Sequence, residues 1–196
     1  MPDTHLAPAA EAIARVHLPR LGAEPENIRA LIERHAGENW VRTLALNPDT
    51  ARRFASYFED LFRVNGARLP LHERELIAVA VSATNGCGLC EIHHTIALGE
   101  ALGDAVRARR IALDLHLAVL SPRERALVEF AVKVTKTPKE IDESVFHNLR
   151  AAGLDDADII EALEVSAWFN HTNRIFIALG VQPDEKYFSR DAEDAQ

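Results

Sequence analysis

Leu69-Pro-Leu-His-Glu-Arg-Glu-Leu-Ile-Ala-Val-Ala-Val-Ser-Ala-Thr84 is the segment on which the fold turns. Taken alone, Ile77 to Val81 has the composition of a buried strand. The chain, however, repeats the segment. Leu120-Ser-Pro-Arg-Glu-Arg-Ala-Leu-Val-Glu-Phe-Ala-Val-Lys-Val-Thr135 aligns with it without gaps at an offset of 51. Glu73 then matches Glu124, Arg74 matches Arg125, and Ala80-Val81 matches Ala131-Val132. The second copy carries a helix start: Ser121 at the N-cap, Pro122 at the first helical position and Glu124 at the third. The first copy therefore reads as a helix too. It is apolar on nearly every side beyond Glu75, which predicts a central buried helix.

Helical spacing continues on both sides. Glu24-Pro25-Glu26 reads as a helix start, followed by Ile28, Leu31, Ile32 and His35, with Gly37 as the stop. Asn47-Pro48-Asp49 opens a helix that carries Phe54, Tyr57, Phe58, Leu61 and Phe62 in one stripe and ends at Asn65-Gly66. Gly103-Asp104 starts another, running to about Ala118. Ile96-Ala-Leu-Gly99 echoes Ile177-Ala-Leu-Gly180, and both read as helix ends closed by glycine. The expectation is an all-α fold built on a duplicated helical hairpin. It forms a single domain over residues 1–196: a helical extension at 1–40, a core at 40–182, and a polar tail at 183–196 that frays from residue 190.

A chain of 196 residues fits one domain, and 47% hydrophobic residues exclude intrinsic disorder. Lys and Arg number 22 against 30 Asp and Glu, a net charge of −8, so no basic surplus exists to hold a nucleic acid. The run Leu76 to Val81 is far shorter than the ~20 residues a membrane span needs. The start, Met1-Pro-Asp-Thr-His5, has no basic segment ahead of an apolar stretch, so no secretory signal is expected and the expected location is cytoplasmic. The aromatic stripe from Phe54 to Phe62 is large for a small helical domain to cover alone, which predicts a homo-oligomer.

Chemistry concentrates in Thr84-Asn-Gly-Cys-Gly-Leu-Cys-Glu-Ile-His-His-Thr-Ile-Ala-Leu-Gly99, which holds both cysteines of the chain. With Asn85 as the expected N-cap, Cys87, Cys90 and His94 fall along one helical stripe in the first turns. A helix start favours a thiolate. His94 lies one turn from Cys90, within reach of a base that activates a thiol. Glu75, on the preceding buried helix, is costly there unless paired or functional. Its counterpart in the repeat is Ala126, so the fold does not require an acid at that position. Glu73 and Glu124 occupy matching positions and read as structural ion pairs.

Plainer readings stand beside these. The cysteines could be two buried apolar thiols. They could also hold zinc with His93 or His94, but a closed structural site needs four ligands and no second cysteine pair exists, so neither metal nor cofactor is expected. Asn170, His171, Asn173 and Arg174 form a polar cluster that either lines the site or a subunit contact, or serves capping and buried hydrogen bonds. Trp168 and Phe169 read as core or interface, and Arg107, Arg109 and Arg110 as a solvated helix face.

The pattern Glu-x11-Cys-x-x-Cys-x3-His at Glu75, Cys87, Cys90 and His94 resembles the alkylhydroperoxidase D-like and carboxymuconolactone decarboxylase-like superfamily. Leu120-Ser-Pro-Arg-Glu-Arg-Ala-Leu127 and Ala167-Trp-Phe-Asn-His-Thr-Asn-Arg-Ile175 are similar to its peroxidase-related branch, and the likeness spans roughly residues 40–182. The resemblance implies an all-helical oligomer whose dithiol reduces hydrogen peroxide or small organic hydroperoxides. It makes Cys90 peroxidatic and Cys87 resolving, with His94 and Glu75 as the proton relay and an external dithiol as reductant. The family's further histidine between the cysteines is replaced here by Leu89, with His93 as a possible auxiliary. Two other readings remain: a redox-sensing or interaction protein that uses the same disulfide as a switch, and a decarboxylase-like acid/base enzyme using Glu75 and His94.

Overall fold

The computed structural model describes residues 13–18, 24–62 and 65–188, and every regular element among them is helical. In chain order these are α1 (Glu26–Arg34), α2 (Asn39–Leu44), α3 (Pro48–Leu61), α4 (Leu71–Asn85), α5 (Gly88–Leu102), α6 (Ala105–Leu113), α7 (Pro122–Lys136), α8 (Glu143–Ala151) and α9 (Asp156–Leu179). Local chemistry sets the starts. The Asn47 side chain accepts from Thr50 N–H at 3.1 Å, with Pro48 opening α3. Ser121 and Glu124 form a reciprocal capping box on α7, as do Asp155 and Asp158 on α9.

The repeated segments are α4 and α7. The central part of α4, from Glu73 to Ser82, is buried on every side because two cores meet on it. Leu76, Val79 and Ala80 pack with Leu98, Ile111 and Val128, while Ile77, Ala78 and Val81 pack with Leu127, Phe130 and Phe169. An apolar strand-like composition is thus spent on a helix with no outer face. The matched acids form the expected ion pairs. Glu73 takes Arg123 through two hydrogen bonds, of 2.7 and 3.1 Å, and Glu124 takes Arg107 through two, of 2.9 and 2.8 Å. Arg107 therefore departs from the expected solvated face, whereas Arg109 and Arg110 are exposed.

Several boundaries differ from expectation. Gly180 closes α9 with φ +60, but Gly99 lies inside α5, which ends at Gly103 with φ +66. Gly99 serves a close approach instead, since a Cβ there would sit 3.0 Å from the Cα of Ala105. The helix after Gly103 stops at Leu113 rather than near Ala118. Asp114 turns extended there and caps a 3-10 turn over Leu115–Leu117, accepting from His116 N–H at 2.9 Å.

The aromatic stripe of α3 is covered within the chain. Phe54 meets Trp40 of α2 and Trp168 and Phe176 of α9, at ring-centroid distances of 5.4, 4.7 and 5.4 Å. Only Tyr57 of the stripe stays exposed, stacked on Trp168 at 4.5 Å. The stripe thus gives no reason for a partner subunit. Past α9 the chain turns back: the Asp184 carboxylate accepts from Asn39 N–H at 3.1 Å, and Tyr187 is buried. The expected helical extension is described only in part, with α1 its helix, and the expected frayed end lies outside the described residues. No helix among the described residues is long and apolar enough to cross a membrane.

Candidate active site

The α4–α5 joint positions both cysteines. Gly86 closes α4 with φ +70, a conformation that side-chain-bearing residues avoid. Cys87 follows with its backbone engaged at both ends. Its N–H donates to Ser82 C=O at 3.0 Å, closing α4, and its C=O accepts from Glu91 N–H at 2.8 Å, opening α5. Cys87, not Asn85, is therefore the N-cap of α5. Asn85 is the last residue of α4, with Gly86 as its C-cap. Its side-chain amide donates instead to Asn170 Oδ1 at 3.2 Å and Asn173 Oδ1 at 3.0 Å.

Cys87 and Cys90 are unbonded thiols, both buried. The Cys90 S–H donates to Cys87 and lowers its thiol to about 7, against the opposing effect of burial. The Cys90 backbone N–H, the Asn173 amide and His94 add to the lowering. Cys90 is pushed well above the usual thiol range by the Cys87 sulfur and by burial, partly offset by Asn173 and Thr172. The hydrogen bond thus favours the thiolate on Cys87, at the helix start, over Cys90.

Glu75 from α4 and His94 from α5 meet as a buried dyad, with Nδ1 of the imidazole 2.7 Å from Oε2 and both side chains 7% exposed. Phe169 packs edge-on against the imidazole at 4.6 Å, and Phe62 lies at 5.6 Å. With Nδ1 engaged, Nε2 is the nitrogen left to act as a base. Cys90, Thr172, His93 and His94 open on one cavity of about 30 Å³. Rings of Trp40, Phe54, Phe58, Trp168, Phe169 and Phe176 make up most of its remaining wall, and Leu89 lines it too. Cys87 is not in that wall. Glu75, Cys90, His94 and Cys87 are thereby gathered at one place. His93 lines the same cavity, stacked on His94 at 5.1 Å with 17° between the ring planes.

The polar cluster of α9 divides. Asn170 and Asn173 turn inward, Asn173 donating to Ser82 Oγ at 3.1 Å, while His171 and Arg174 are exposed. Asn173 is a site residue whose partners the sequence did not indicate, although its cluster gave a signal. Thr172 and the aromatic wall gave none. Among the described residues no group of three or more His, Cys, Asp or Glu side chains is arranged to hold a metal ion.

Residues 48–131, from α3 into α7, match the carboxymuconolactone decarboxylase family. The fold superposes on the crystal structure of an alkylhydroperoxidase AhpD core, an uncharacterized peroxidase-related protein from Ralstonia eutropha JMP134. That match has a TM-score of 0.84 and 34% identity over 92% of this chain and 97% of that one. A peroxidase-related protein from Silicibacter sp. TM1040 superposes with a TM-score of 0.83 at 28% identity, covering 91% and 96% of the two chains. The uncharacterized protein YdfG of Bacillus subtilis (strain 168) is 29% identical over 108 residues, 55% of this chain and 73% of that protein.

Proposed function

Because the chain belongs to the carboxymuconolactone decarboxylase family of AhpD-like helical proteins, we propose that it is a thiol peroxidase working through Cys90 and Cys87. The observation that carries this reading is that Cys90 and His94 line one cavity, with Glu75 bonded to His94 behind its wall. At ~10–15 Å³ per water-sized group, 30 Å³ admits about two, the size of a peroxide O–O end.

The reaction begins with proton transfer across the shared hydrogen bond, which leaves Cys87 a thiol and Cys90 a thiolate. The Cys90 sulfur attacks one peroxide oxygen. The S–O bond forms, the O–O bond breaks, and the departing alkoxide or hydroxide takes up a proton supplied from solvent, with His94 in the cavity wall to relay it. Cys90 is then a sulfenic acid. Cys87 displaces its hydroxyl as water, giving the Cys87–Cys90 disulfide. An external dithiol restores both thiols by exchange.

Free thiols counted before and after one equivalent of hydrogen peroxide test the reading. Two thiols lost together, with continued peroxide consumption when dithiothreitol is supplied, is the expected result. Stoichiometric oxidation without turnover would favour the redox switch. Peroxide left untouched would remove the dithiol cycle and favour acid/base chemistry at Glu75 and His94.

A further inference from the structure

Beside the buried dyad stands a second pairing of histidine with carboxylate. His93 Nδ1 lies 3.9 Å from Glu38 Oε2. Glu38, between α1 and α2, accepts from Trp40 Nε1 at 2.7 Å, Lys186 Nζ at 2.6 Å and Tyr187 OH at 2.5 Å. The groups that face His93 come from every side: His35 and Glu38 at the ends of α1 and α2, His94 on its own helix, and Lys186 and Tyr187 from the C-terminal segment. Tyr187 also stacks on the imidazole, at 5.1 Å. A second cavity, of about 350 Å³, lies against this cluster, with Glu38, Glu100, Lys186 and Tyr187 in its wall. His93 is the one residue common to the walls of both cavities. The side chain of Lys186 is 48% exposed, so the outer cavity borders solvent.

We propose that His93, beside Glu38, is the port through which a proton passes between solvent and the cysteine cavity. This rests on the peroxidase reading and follows from its balance. A resting pair with one thiol and one thiolate consumes one hydroperoxide and one external proton, and yields the disulfide, one alcohol and one water. Reduction by a dithiol returns the thiol–thiolate pair, releases that proton and leaves the reductant as its disulfide. A proton therefore enters or leaves the site once in each half-cycle, and His93, unlike Glu75 and His94, also borders the outer cavity. Burial and His94 push His93 down to about 4, so it rests neutral, able to take a proton on one nitrogen and release one from the other without retaining it. Burial alone would raise Glu38, but the bonds from Lys186 and Tyr187 outweigh it and hold the carboxylate below its usual range, available as a counter-charge for a passing proton.

The test is a single oxidation of pre-reduced full-length protein by hydrogen peroxide at pH 8, in weak buffer with a pH indicator. The wild-type protein is expected to take up one proton per two thiols lost. His93→Gln should still form the disulfide completely but at least about tenfold more slowly, with added imidazole restoring the rate. Glu38→Gln should slow it less and respond to imidazole in the same way, and it is the variant to read if His93→Gln loses the wild-type circular dichroism spectrum. Wild-type rates in both variants, or a slowed rate that imidazole leaves unchanged, overturns the port while the peroxidase reading stands. Reduced wild-type protein that leaves peroxide untouched fails the reading first, and the port with it.

Discussion

The two copies of the repeated helix have been put to different uses. α4 and α7 share the Glu-Arg step near their starts, and in both the glutamate is tied to an arginine from elsewhere: Glu73 to Arg123 and Glu124 to Arg107. Two residues further on they part. α4 carries Glu75, buried and bonded to His94, where α7 carries Ala126. α4 has no outer face, whereas α7 is buried on one side and solvated on the other. This contrast assigns the acid kept in both copies to the fold and proposes the acid present in one alone, Glu75, for the chemistry. Experiments on the α4–α5 half should therefore remove activity, and experiments on the shared features should remove stability.

The largest effect is expected at the sulfurs. Cys90→Ser should abolish peroxide consumption. Cys87→Ser should allow a single attack, leaving a sulfenic acid on Cys90 that a dimedone probe traps. A sulfenic acid trapped instead on Cys87 in the Cys90→Ser protein would reverse the assignment and give priority to the resting thiolate at the helix start over access to the cavity.

Next comes the acid that only α4 carries. Glu75→Ala should lower the rate of thiol oxidation by about 10²-fold, the scale of a positioned proton-transfer group, with the disulfide still forming slowly. An unchanged rate would return Glu75 to the same structural class as Glu73.

Asn173 should act through the pH profile. Its amide lowers both thiols, so Asn173→Leu should move the profile of oxidation rate upward from about 7. The thiolate is the reactive form and is lost as pH falls, so the variant should lag most on the acid side and recover near pH 9. A shift of about one unit would leave roughly a fifth of the thiolate at pH 7. The ultraviolet absorbance of the thiolate against pH reads this directly.

The smallest effect on rate is expected at the shared acid. Glu73→Ala should leave thiol oxidation unchanged while lowering stability by about 1–3 kcal/mol, measured by urea unfolding, because Arg123 loses its two carboxylate bonds. Loss of activity without loss of stability would erase the distinction between the two acids.

The same contrast separates what the sequence made legible from what it did not. α4 was readable as a helix because the capping residues of α7 disclosed its repeat. Glu75 stood out because Ala126 stood opposite it. Local patterns misled where a contact distant in sequence decided the outcome. Gly99 looks like a helix end but answers to the backbone of Ala105. The α3 stripe looks uncovered because Trp168 and Phe176, which cover it, lie more than a hundred residues away. Asn173 announced itself as polar, but its position against both sulfurs depends on how α9 crosses α4. The Glu38 cluster joins the two ends of the chain through Tyr187 and had no local signature at all.

Cys87 has one more consequence, in terms of signalling. Its amide closes one helix and its carbonyl opens the next, so moving its backbone would break two hydrogen bonds at once, at about 0.5–1.5 kcal/mol each. Changes at the sulfurs are cheaper in side-chain torsions than in any displacement of α4 against α5. These two bonds resist the passage of a change at the sulfurs into the backbone. A sensor needs its redox event transmitted to a distant surface, whereas a catalyst that turns over many times gains from a scaffold that does not register each event. The two backbone bonds at Cys87 favour the second reading of this joint.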